Sequence, residues 1–304
     1  MYIIISSERL KKMKKVTKAV IPAAGLGTRM LPIARAVPKE ALPIVDRPAI
    51  SYLVEEAKCS GITDVLIITG RNKDCIEDYF DFSPEYEQKI SAKGGDITLL
   101  RDSAFADMNI YFLRQKQTKG LGHAVGCAKA FVEDEPFAVL YGDDIIFSEK
   151  PVTLQLIEVY EKYGKGCAGV KEVPPELVRK YCTLKTEKIA GTKNEFLVSD
   201  MIEKPGENDP VYSNYSILGR VVLPPEIFDI IENTPPGAGG EIQLTDAMKV
   251  LSNVKGMTAV DFEGERYDLG SKLGFMKANV VKALEHAEIG EEFKKYIKEL
   301  AKTL

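Results

Sequence analysis

The chain has 304 residues, enough for one large domain or two ordinary ones, and 45% of them are hydrophobic while 28% are charged. These fractions are typical of a soluble globular protein and argue against collagen-like, coiled-coil and disordered classes. The net charge of −4 disfavours a strongly basic nucleic-acid-binding protein, so we expect no nucleic-acid partner. Only two histidines are present, which leaves little material for a histidine base or a histidine-rich metal site.

The cysteines and the apolar runs indicate the compartment. Five cysteines are widely spaced and never form a C-x-x-C pair, so neither a disulfide framework nor a zinc site is indicated. No apolar run approaches the roughly 18 residues that span a bilayer, and residues 2–5 are too short for a signal-peptide core. We therefore expect a soluble, cytoplasmic protein with no membrane partner. Met13 offers a second start, so residues 1–12 are interpreted as a disordered extension or a misassigned beginning.

The first half of the chain alternates short apolar runs with longer helical patterns. Apolar runs bounded by Gly, Asp or Pro are typical of strands that are buried on both faces of a sheet. The predicted strands are 16–22, 65–69, 110–113 and 137–141, and the predicted helices are 50–60, 73–80, 122–131 and 152–163. This order predicts a Rossmann-like α/β fold, in which a mixed, mostly parallel sheet is flanked by helices.

After residue 164 the pattern changes. Strand-like runs follow one another at 167–173, 181–185, 196–204 and 215–223, which predicts mixed or antiparallel strands that extend the sheet. Helical patterns return at 226–233, 243–251 and 271–304, and the last ends in a charged amphipathic tail. Because there is no repeat and no low-complexity linker, we expect residues 13–304 to form one domain with C-terminal helices over 271–304.

A loop of small residues follows the first predicted strand. Ala23, Ala24, Gly25 and Gly27 have little or no side chain, so the backbone N–H groups there can approach an anion closely. Phosphate is the natural ligand of such a loop, although an ordinary strand-to-helix turn has a similar composition. Met30 stands where the third glycine of a dinucleotide-binding G-x-G-x-x-G loop belongs, and no G-x-x-x-x-G-K-[ST] loop occurs in the chain.

Three cations follow this loop in close succession, at Arg29, Arg35 and Lys39. Pro32 and Pro38 stiffen the chain between them. A rigid loop with several fixed cations suits a triphosphate, whose charge needs to be neutralised from more than one direction. A solvated basic face is the alternative, and the two prolines argue against it.

The residues around this loop resemble a known family. The chain contains AAGLGTRMLP (23–32) and VPKEALPIVDRPAI (37–50), which are similar to the nucleotide-binding signature of the sugar-1-phosphate nucleotidyltransferases. Within that family they most resemble the bacterial UTP:glucose-1-phosphate uridylyltransferases. Further family motifs occur in the same order: Gln115, KGLGHAV (119–125), GDD (142–144), EKP (203–205), GAGGEIQLTD (237–246) and DLGSKLG (268–274). This ordered set makes the resemblance specific.

The resemblance implies a reaction and a division of the chain. UTP and α-D-glucose 1-phosphate would give UDP-glucose and pyrophosphate, with about 16–164 as the nucleotide-binding part and 165–270 as the sugar-binding part. The nucleophile is a sugar phosphate that is already ionised at neutral pH, so no general base is needed. The protein must align the incoming phosphate with the α-phosphorus and neutralise charge while pyrophosphate leaves in line.

The resemblance also implies a role for each site residue. Arg29 is expected to bind the β- and γ-phosphates, Lys39 the transferred α-phosphate, and Lys204 the phosphate of the sugar. Glu203 is expected to accept hydrogen bonds from glucose hydroxyls. The implied nucleotide-binding residues are Ala23, Ala24, Gly25, Gly27, Thr28, Gln115 and Gly120, of which Gln115 and Gly120 would read the uracil edge. A surface amide at Gln115 and a solvent-exposed pair at Glu203 and Lys204 are the alternatives, and His123 is expected to be structural.

Asp143 directly follows a predicted strand, at the carboxyl edge where open α/β sheets bind ligands. A carboxylate there can hold Mg²⁺ together with phosphate oxygens. An aspartate that caps a turn or a helix is the structural alternative. The family pattern selects Asp143 rather than Asp144 as the metal ligand, with Asp268 as its partner and Mg²⁺ as the cofactor.

Cys182 is the main departure from the family pattern. The family has Tyr-Gly-Val where residues 181–183 read Tyr-Cys-Thr, so Cys182 is assigned to the sugar-binding site, where it could crowd the sugar or shift sugar preference. Two alternatives stay open: a thymidylyl- or cytidylyltransferase for a related sugar 1-phosphate, and a non-catalytic sugar-nucleotide-binding subunit. The resemblance implies a homodimer or homotetramer, although an amphipathic C-terminal tail can equally pack on its own core.

Overall fold

The computed structural model describes residues 14–100, 105 and 107–303. The strands are β1 (Lys18–Pro22), β2 (Pro43–Ile44), β3 (Arg47–Pro48), β4 (Asp64–Thr69), β5 (Asn109–Arg114), β6 (Phe137–Leu140), β7 (Asp144–Phe147), β8 (Gly166–Glu172), β9 (Cys182–Lys188), β10 (Glu195–Glu203), β11 (Tyr215–Leu223), β12 (Met257–Asp261) and β13 (Glu265–Asp268). The helices are α1 (Ala49–Cys59), α2 (Asp74–Phe80), α3 (Pro84–Ala92), α4 (Leu121–Gly126), α5 (Lys129–Val132), α6 (Val152–Tyr163), α7 (Pro175–Val178), α8 (Ile227–Glu232), α9 (Leu244–Val254), α10 (Lys272–Glu285) and α11 (Gly290–Leu300).

A nine-stranded sheet has the strand order β5-β4-β1-β6-β11-β8-β12-β10-β9. The first four strands of this order run parallel to one another. β11 runs antiparallel to both of its neighbours, and so does β10. The mixed, mostly parallel sheet is therefore confirmed, and its antiparallel strands lie in the later part of the chain as predicted.

The sheet has a hydrophobic core on each face, because consecutive residues of a strand point to opposite sides. In β1, Ala19 and Ile21 belong to the cluster that includes α1 and α6, whereas Val20 belongs to the cluster that includes α4, α8 and α9. All three side chains are fully buried. The sheet is thus covered by helices on both faces, as its continuous apolar strands predict.

Two helical regions differ from the sequence prediction. The helix predicted over 122–131 is two short helices, because the N–H of Cys127 donates to both His123 and Ala124 and tightens the last turn of α4. The C-terminal helices predicted over 271–304 are α10 and α11, which are separated at His286, whose backbone is extended. The sequence pattern missed α3, which has no buried residue and so no apolar stripe to detect.

A small antiparallel sheet of β7 and β13 was also missed. Its strands have only four residues each, too few for a clear alternation. Asp268 pairs with Asp144, and the N–H of Leu269 donates to the Asp143 carbonyl at 2.8 Å. This pairing places Asp268 beside Asp143.

The carboxyl ends of β1 and β6 meet at one edge of the sheet, because the two strands are parallel neighbours. A Cβ at Gly142 would lie 2.6 Å from the Pro22 carbonyl oxygen, so only glycine allows this approach. The loop 23–27 and Asp143 therefore leave the sheet side by side. Among the described residues, no helix combines the length and the apolar character of a membrane span. The predicted extension at 1–12 lies outside the described residues.

Candidate active site

Two adjoining cavities open at this edge of the sheet. The first, of about 510 Å³, lies under the loop 23–27, and the second, of about 420 Å³, lies beside the start of β9 and the end of β10. The residues that line both cavities are Arg29, Leu121, Tyr141 and Asp143. Each cavity has the size of a small-molecule site. Two ligands bound here would meet at Arg29 and Asp143.

The loop of small residues lines the first cavity, with one exception. Ala24, Gly25, Gly27 and Thr28 all line it. Ala23 does not: its side chain is 1% exposed and its N–H donates to the Ile68 carbonyl at 2.8 Å. Contrary to expectation, the structure does not bring Ala23 to the ligand side of the loop, since its N–H continues the ladder between β1 and β4.

Two of the three predicted cations reach the point where the cavities join. Lys39 Nζ lies 2.5 Å from Asp143 Oδ2, and Arg29 Nη1 lies 3.1 Å from Asp268 Oδ2. Arg29 Nη2 is also 3.7 Å from Asp143 Oδ2. Arg35 lines neither of the two cavities. Arg29 thus lies between the two carboxylates that the sequence selects.

The charges of this cluster stabilise one another. Burial raises the pKa of Asp143, but Lys39 and Arg29 lower it by more, so the pKa lies below the ordinary value for an aspartate. Burial lowers the pKa of Lys39, but the neighbouring Asp143 and Glu40 carboxylates outweigh it, so the pKa lies above the ordinary value. Asp143 and Lys39 therefore both carry charge at neutral pH.

The donor set fits a hard divalent cation that also binds substrate. Asp143 and Asp268 both face the Arg29 guanidinium, so their oxygens converge on a position where positive charge already lies. Within the described part of the chain, no group of three or more His, Cys, Asp or Glu side chains could hold a metal ion. One or two carboxylates completed by phosphate oxygens and water is the usual Mg²⁺ arrangement, and these two carboxylates fit it.

Asp144 lines only the second cavity and pairs with Arg266 rather than with Lys39 or Arg29. Its Oδ1 accepts a hydrogen bond from Arg266 Nε at 2.7 Å, and Arg266 Nη1 donates to the Tyr181 hydroxyl at 3.3 Å. The pKa of Asp144 is raised to about 6, mainly because the carboxyl group is buried. The Arg266 guanidinium lowers this pKa, whereas the neighbouring Asp143 carboxylate raises it further. Sequence reasoning missed Arg266 and Tyr181, although Arg266 lies two residues before Asp268.

Gln115 is held by the histidine that was expected to be structural. Its Nε2 lies 2.7 Å from His123 Nδ1 and 3.4 Å from the Gly120 carbonyl oxygen. Burial lowers the pKa of His123, and Lys119 lowers it further, so the ring is neutral at pH 7 and Nδ1 can accept. Gln115 is 6% exposed, so it is not a surface amide.

Gly120 lies against the chain near Ile242. A Cβ at Gly120 would lie 2.7 Å from the Ile242 carbonyl oxygen, and the residue has a φ of 103°. Two backbone hydrogen bonds of 2.8 Å join this segment to Ile242, one from Gly122 and one to Lys119. The glycines of KGLGHAV thus allow two distant motifs to form one wall of the first cavity.

Glu203 and Lys204 line the second cavity. Thr245 Oγ1 donates to Glu203 Oε2 at 2.8 Å, and burial raises the pKa of Glu203 above its ordinary value. Lys204 Nζ lies 3.8 Å from Glu203 Oε1, and its side chain is 50% exposed. Lys204 has a φ of 43°, an uncommon conformation for a residue other than glycine and one that is concentrated at functional sites.

Cys182 also lines the second cavity but exposes little surface to it. It is 2% exposed, and its Sγ accepts a hydrogen bond from the Ile217 N–H of β11 at 3.2 Å. Burial raises the pKa of the thiol to about 12. Cys182 is therefore a packed, neutral thiol at the wall of the cavity.

A family comparison matches this fold and site. The family model described as "Nucleotidyl transferase" matches residues 18–284. The chain belongs to the nucleotidyl transferase family. Nucleotidyltransferases of this family generally use a divalent metal, which agrees with the two converging carboxylates.

Several nucleotidyl transferases are similar to the chain over nearly its whole length. The "UTP--glucose-1-phosphate uridylyltransferase" of Staphylococcus epidermidis is 47% identical over 289 residues, covering 95% of this chain and 99% of that protein. A solved "UDP-glucose pyrophosphorylase complexed with UDP-glucose" is 39% identical, with a TM-score of 0.80, covering 89% of this chain and 100% of that chain. A "UTP-bound UGPase" from Acinetobacter baumannii is 38% identical, with a TM-score of 0.85, covering 94% and 99%.

Proposed function

We propose that this site transfers a uridylyl group from UTP to α-D-glucose 1-phosphate, giving UDP-glucose and pyrophosphate. The observation that carries the proposal is the junction of two cavities at Arg29 and Asp143, with Asp268 and Lys39 in the same charge cluster. The similar proteins named for UTP and glucose 1-phosphate, and the solved relatives that hold UTP or UDP-glucose, support this choice of substrates. A thymidylyl- or cytidylyltransferase and a non-catalytic subunit are not favoured.

The first cavity would bind UTP. Backbone N–H groups of the loop 24–27 would contact the nucleotide, and Arg29 would bind the β- and γ-phosphates. Gln115 Nε2 is occupied by His123 and Gly120, whereas no donor to Gln115 Oε1 is found among the described residues. A free acceptor suits the N3–H of uracil and does not suit cytosine, which has an acceptor at N3.

The second cavity would bind glucose 1-phosphate. Glu203 would accept hydrogen bonds from glucose hydroxyls, since Thr245 already fixes one of its oxygens. Lys204 would bind the phosphate of the sugar, because its ammonium group lines the cavity and is half-exposed. The sugar phosphate would then approach the shared wall at Arg29 and Asp143.

Asp143 and Asp268 would hold Mg²⁺, which when bound neutralises charge on the phosphate oxygens. An oxygen of glucose 1-phosphate forms a bond to the α-phosphorus of UTP, and the bond from that phosphorus to the oxygen bridging the α- and β-phosphates breaks. Lys39 would stabilise the charge of the transferred α-phosphate. The nucleophile enters already ionised, so no side chain has to remove a proton.

Pyrophosphate release by the purified protein tests the proposal. A panel of UTP, dTTP, CTP, ATP and GTP is combined with the 1-phosphates of glucose, galactose and N-acetylglucosamine in the presence of Mg²⁺. We expect the highest kcat/KM with UTP and glucose 1-phosphate, with formation of UDP-glucose checked by chromatography. No pyrophosphate from any pair would overturn an enzymatic role, and a clear preference for dTTP or CTP would overturn the uridylyl assignment.

The proposal also covers the compartment and the oligomeric state of the protein. We place the protein in the cytoplasm, where UTP is available, and we expect a homodimer or homotetramer. Exposed apolar side chains on α10, such as Leu273 and Met276, support a subunit contact there. Sedimentation velocity of the purified chain would detect the assembly, and a monomer at micromolar concentration would contradict it.

A further inference from the structure

A buried ion pair lies behind the nucleotide loop, among residues to which no role has been assigned. Lys73 directly precedes α2, and Glu40 directly follows Lys39 in the chain. Lys73 is 6% exposed and Glu40 is 1% exposed. Lys73 Nζ lies 2.8 Å from Glu40 Oε2. Buried ionised groups are rare unless they are paired, so this pair calls for a functional or structural reason.

All three protons of the Lys73 ammonium group have an acceptor. One goes to Glu40, and the other two go to the backbone carbonyls of Ala23 and of Gly25, the latter at 2.9 Å. An ammonium group has three N–H donors and no acceptor, so Lys73 is fully satisfied here. Its contacts hold two carbonyls of the nucleotide loop at fixed positions.

These contacts set the direction of the N–H groups on the opposite side of the loop. In a trans peptide the C=O and the next N–H point in opposite directions. The N–H groups of Ala24 and Leu26 therefore point away from Lys73, and no acceptor for either is found among the described residues. Ala24, Leu26 and Glu40 line the first cavity, whereas Lys73 does not.

We propose that Lys73 is a positioning residue for UTP, which orients and polarises the Ala24 and Leu26 N–H groups through the carbonyls that it binds. An amide whose carbonyl accepts a charged hydrogen bond becomes a stronger N–H donor, because hydrogen bonds in a chain polarise one another. The inference rests on the proposed function, since it assigns the first cavity to the nucleotide.

Glu40 binds the Lys73 ammonium group and lies next in the chain to Lys39, at the junction of the two cavities. Its carboxylate fixes the third proton of Lys73, and its chain neighbour Lys39 contacts Asp143. Burial lowers the pKa of Lys73 and raises the pKa of Glu40, so each charge depends on the other. Removal of one partner would leave a buried unpaired charge, whereas removal of both would leave a neutral pocket.

Four variants test the proposal: Lys73→Met, Lys73→Arg, the double variant Lys73→Met with Glu40→Gln, and the control Lys188→Met at an exposed lysine of β9. Each is measured for thermal unfolding, for kcat and both KM values, and for UTP binding by calorimetry without the sugar phosphate. We expect Lys73→Met to weaken UTP binding and raise the KM for UTP at least about tenfold, since charged hydrogen bonds are lost. The KM for glucose 1-phosphate should stay near the parent value, and Lys188→Met should resemble the parent.

The other two variants separate positioning from folding. The double variant should recover much of the thermal stability, because no unpaired charge remains, yet its UTP affinity should stay as weak as that of Lys73→Met. Lys73→Arg keeps the charge and should recover part of the UTP affinity. If Lys73→Met does not fold, the double variant and Lys73→Arg still give the comparison.

Two outcomes would overturn the inference. One is a double variant that folds and binds UTP as tightly as the parent, which would reduce the pair to a structural role. The other is a rise in both KM values by the same factor. A parent protein that binds another nucleotide in preference to UTP would instead count against the proposed function, so the two failures can be told apart.

Discussion

The nucleotide side of the site and its sugar side are built in different ways. On the nucleotide side, the loop 24–27 presents backbone, and two cations are buried in pairs: the Lys39 side chain is 13% exposed beside Asp143, and the Lys73 side chain is 7% exposed beside Glu40. Arg29, at the junction of the two cavities, has a side chain that is 57% exposed. On the sugar side, the wall is made of side chains, and Lys204 is 50% exposed at 3.8 Å from Glu203. The nucleotide loop and its two buried lysines are therefore fixed before a ligand arrives, whereas Lys204 on the sugar side and Arg29 at the junction keep exposed cationic groups for their ligands.

This difference explains at which positions of the site the type of residue matters. Every residue except proline has a backbone N–H group, so the nucleotide loop needs small residues rather than particular functional groups. On the sugar side each contact depends on a specific side chain, and the clearest departure from the family pattern, Cys182, falls there. Preorganised charges stabilise a transition state without reorganisation. Substitutions on the nucleotide side and at the junction should therefore lower kcat the most.

Asp143→Asn should have the largest effect, because Asp143 lies where the two sides meet. Loss of its charge removes one of the two carboxylates that converge on Arg29 and leaves Lys39 without its partner. We expect kcat to fall by about a thousandfold, in line with the loss of a preorganised electrostatic contact. The measurement is pyrophosphate release over a Mg²⁺ titration, with Asp134→Asn on the surface as control. Parent-like turnover at every Mg²⁺ concentration would contradict the metal assignment.

Glu56→Gln should lower stability rather than change a substrate constant, because the Glu56–Arg220 pair ties α1, on the nucleotide side, to β11. Arg220 Nη2 lies 2.6 Å from Glu56 Oε2, and Arg220 Nη1 donates to the Asp144 carbonyl at 2.9 Å. Disruption of a buried pair typically costs about 3–5 kcal/mol. Urea unfolding at pH 7 measures the loss. Glu158→Gln, in an exposed pair with Lys150, should cost about 1 kcal/mol or less.

The same pair predicts a pH dependence. Burial raises the pKa of Glu56, but Arg220 and Thr153 lower it by more, so its folded-state pKa lies below the ordinary value of 4.5. The stabilisation is therefore fully present above about pH 4.5 and is lost as the pH falls through the folded-state value. Urea unfolding between pH 3 and 7 should show a shallower acid loss in Glu56→Gln than in the parent. Equal slopes would mean that Glu56 does not carry this effect.

Lys204→Ala should act on one substrate only. We expect the KM for glucose 1-phosphate to rise about 10- to 100-fold, the usual range for loss of a charged hydrogen bond, with little change in the KM for UTP. Lys204→Arg should keep part of the affinity, and Lys185→Ala at an exposed position of β9 serves as control. Initial rates with each substrate varied in turn give both constants. A matching rise in the KM for UTP would show that the two sides are not independent.

The sequence predicts the local parts of the site well. The loop 23–27 directly follows β1, Asp143 comes three residues after the end of β6, and the carboxyl ends of parallel neighbouring strands meet at one edge of a sheet. Strand and helix positions around them are confirmed to within a few residues, since the buried strands have continuous apolar runs. These features depend on neighbours in the chain, which a pattern can register.

The parts that depend on distant pairing could not be predicted. Asp268 reaches Asp143 through the short sheet of β7 and β13, and four-residue strands give no clear alternation. The buried pair of Lys73 and Glu40 joins residues of opposite charge from separate segments, and no periodicity marks such a contact. Ala23 was grouped with its neighbours by composition, although its N–H belongs to the sheet.

Cys182→Gly should have the smallest effect on catalysis, although it restores the residue of the family pattern. The Cys182 side chain is 2% exposed and its Sγ is bonded to the Ile217 N–H, so it takes little space from a sugar in the cavity. We expect the KM for glucose 1-phosphate to stay near the parent value. The free energy of unfolding should fall by about 1–3 kcal/mol, since a packed side chain is lost and a strand glycine is introduced.

Cys182→Ala separates the two contributions to this stability change, because it removes the sulfur and keeps a Cβ. Initial rates with glucose 1-phosphate and galactose 1-phosphate, together with urea unfolding, are measured for both variants. A tenfold fall in the KM for either sugar phosphate would mean that the thiol crowds the cavity and narrows sugar preference. Unchanged sugar constants together with lower stability would mean that this chain fills the glycine position by packing the thiol against β11, without loss of the sugar site.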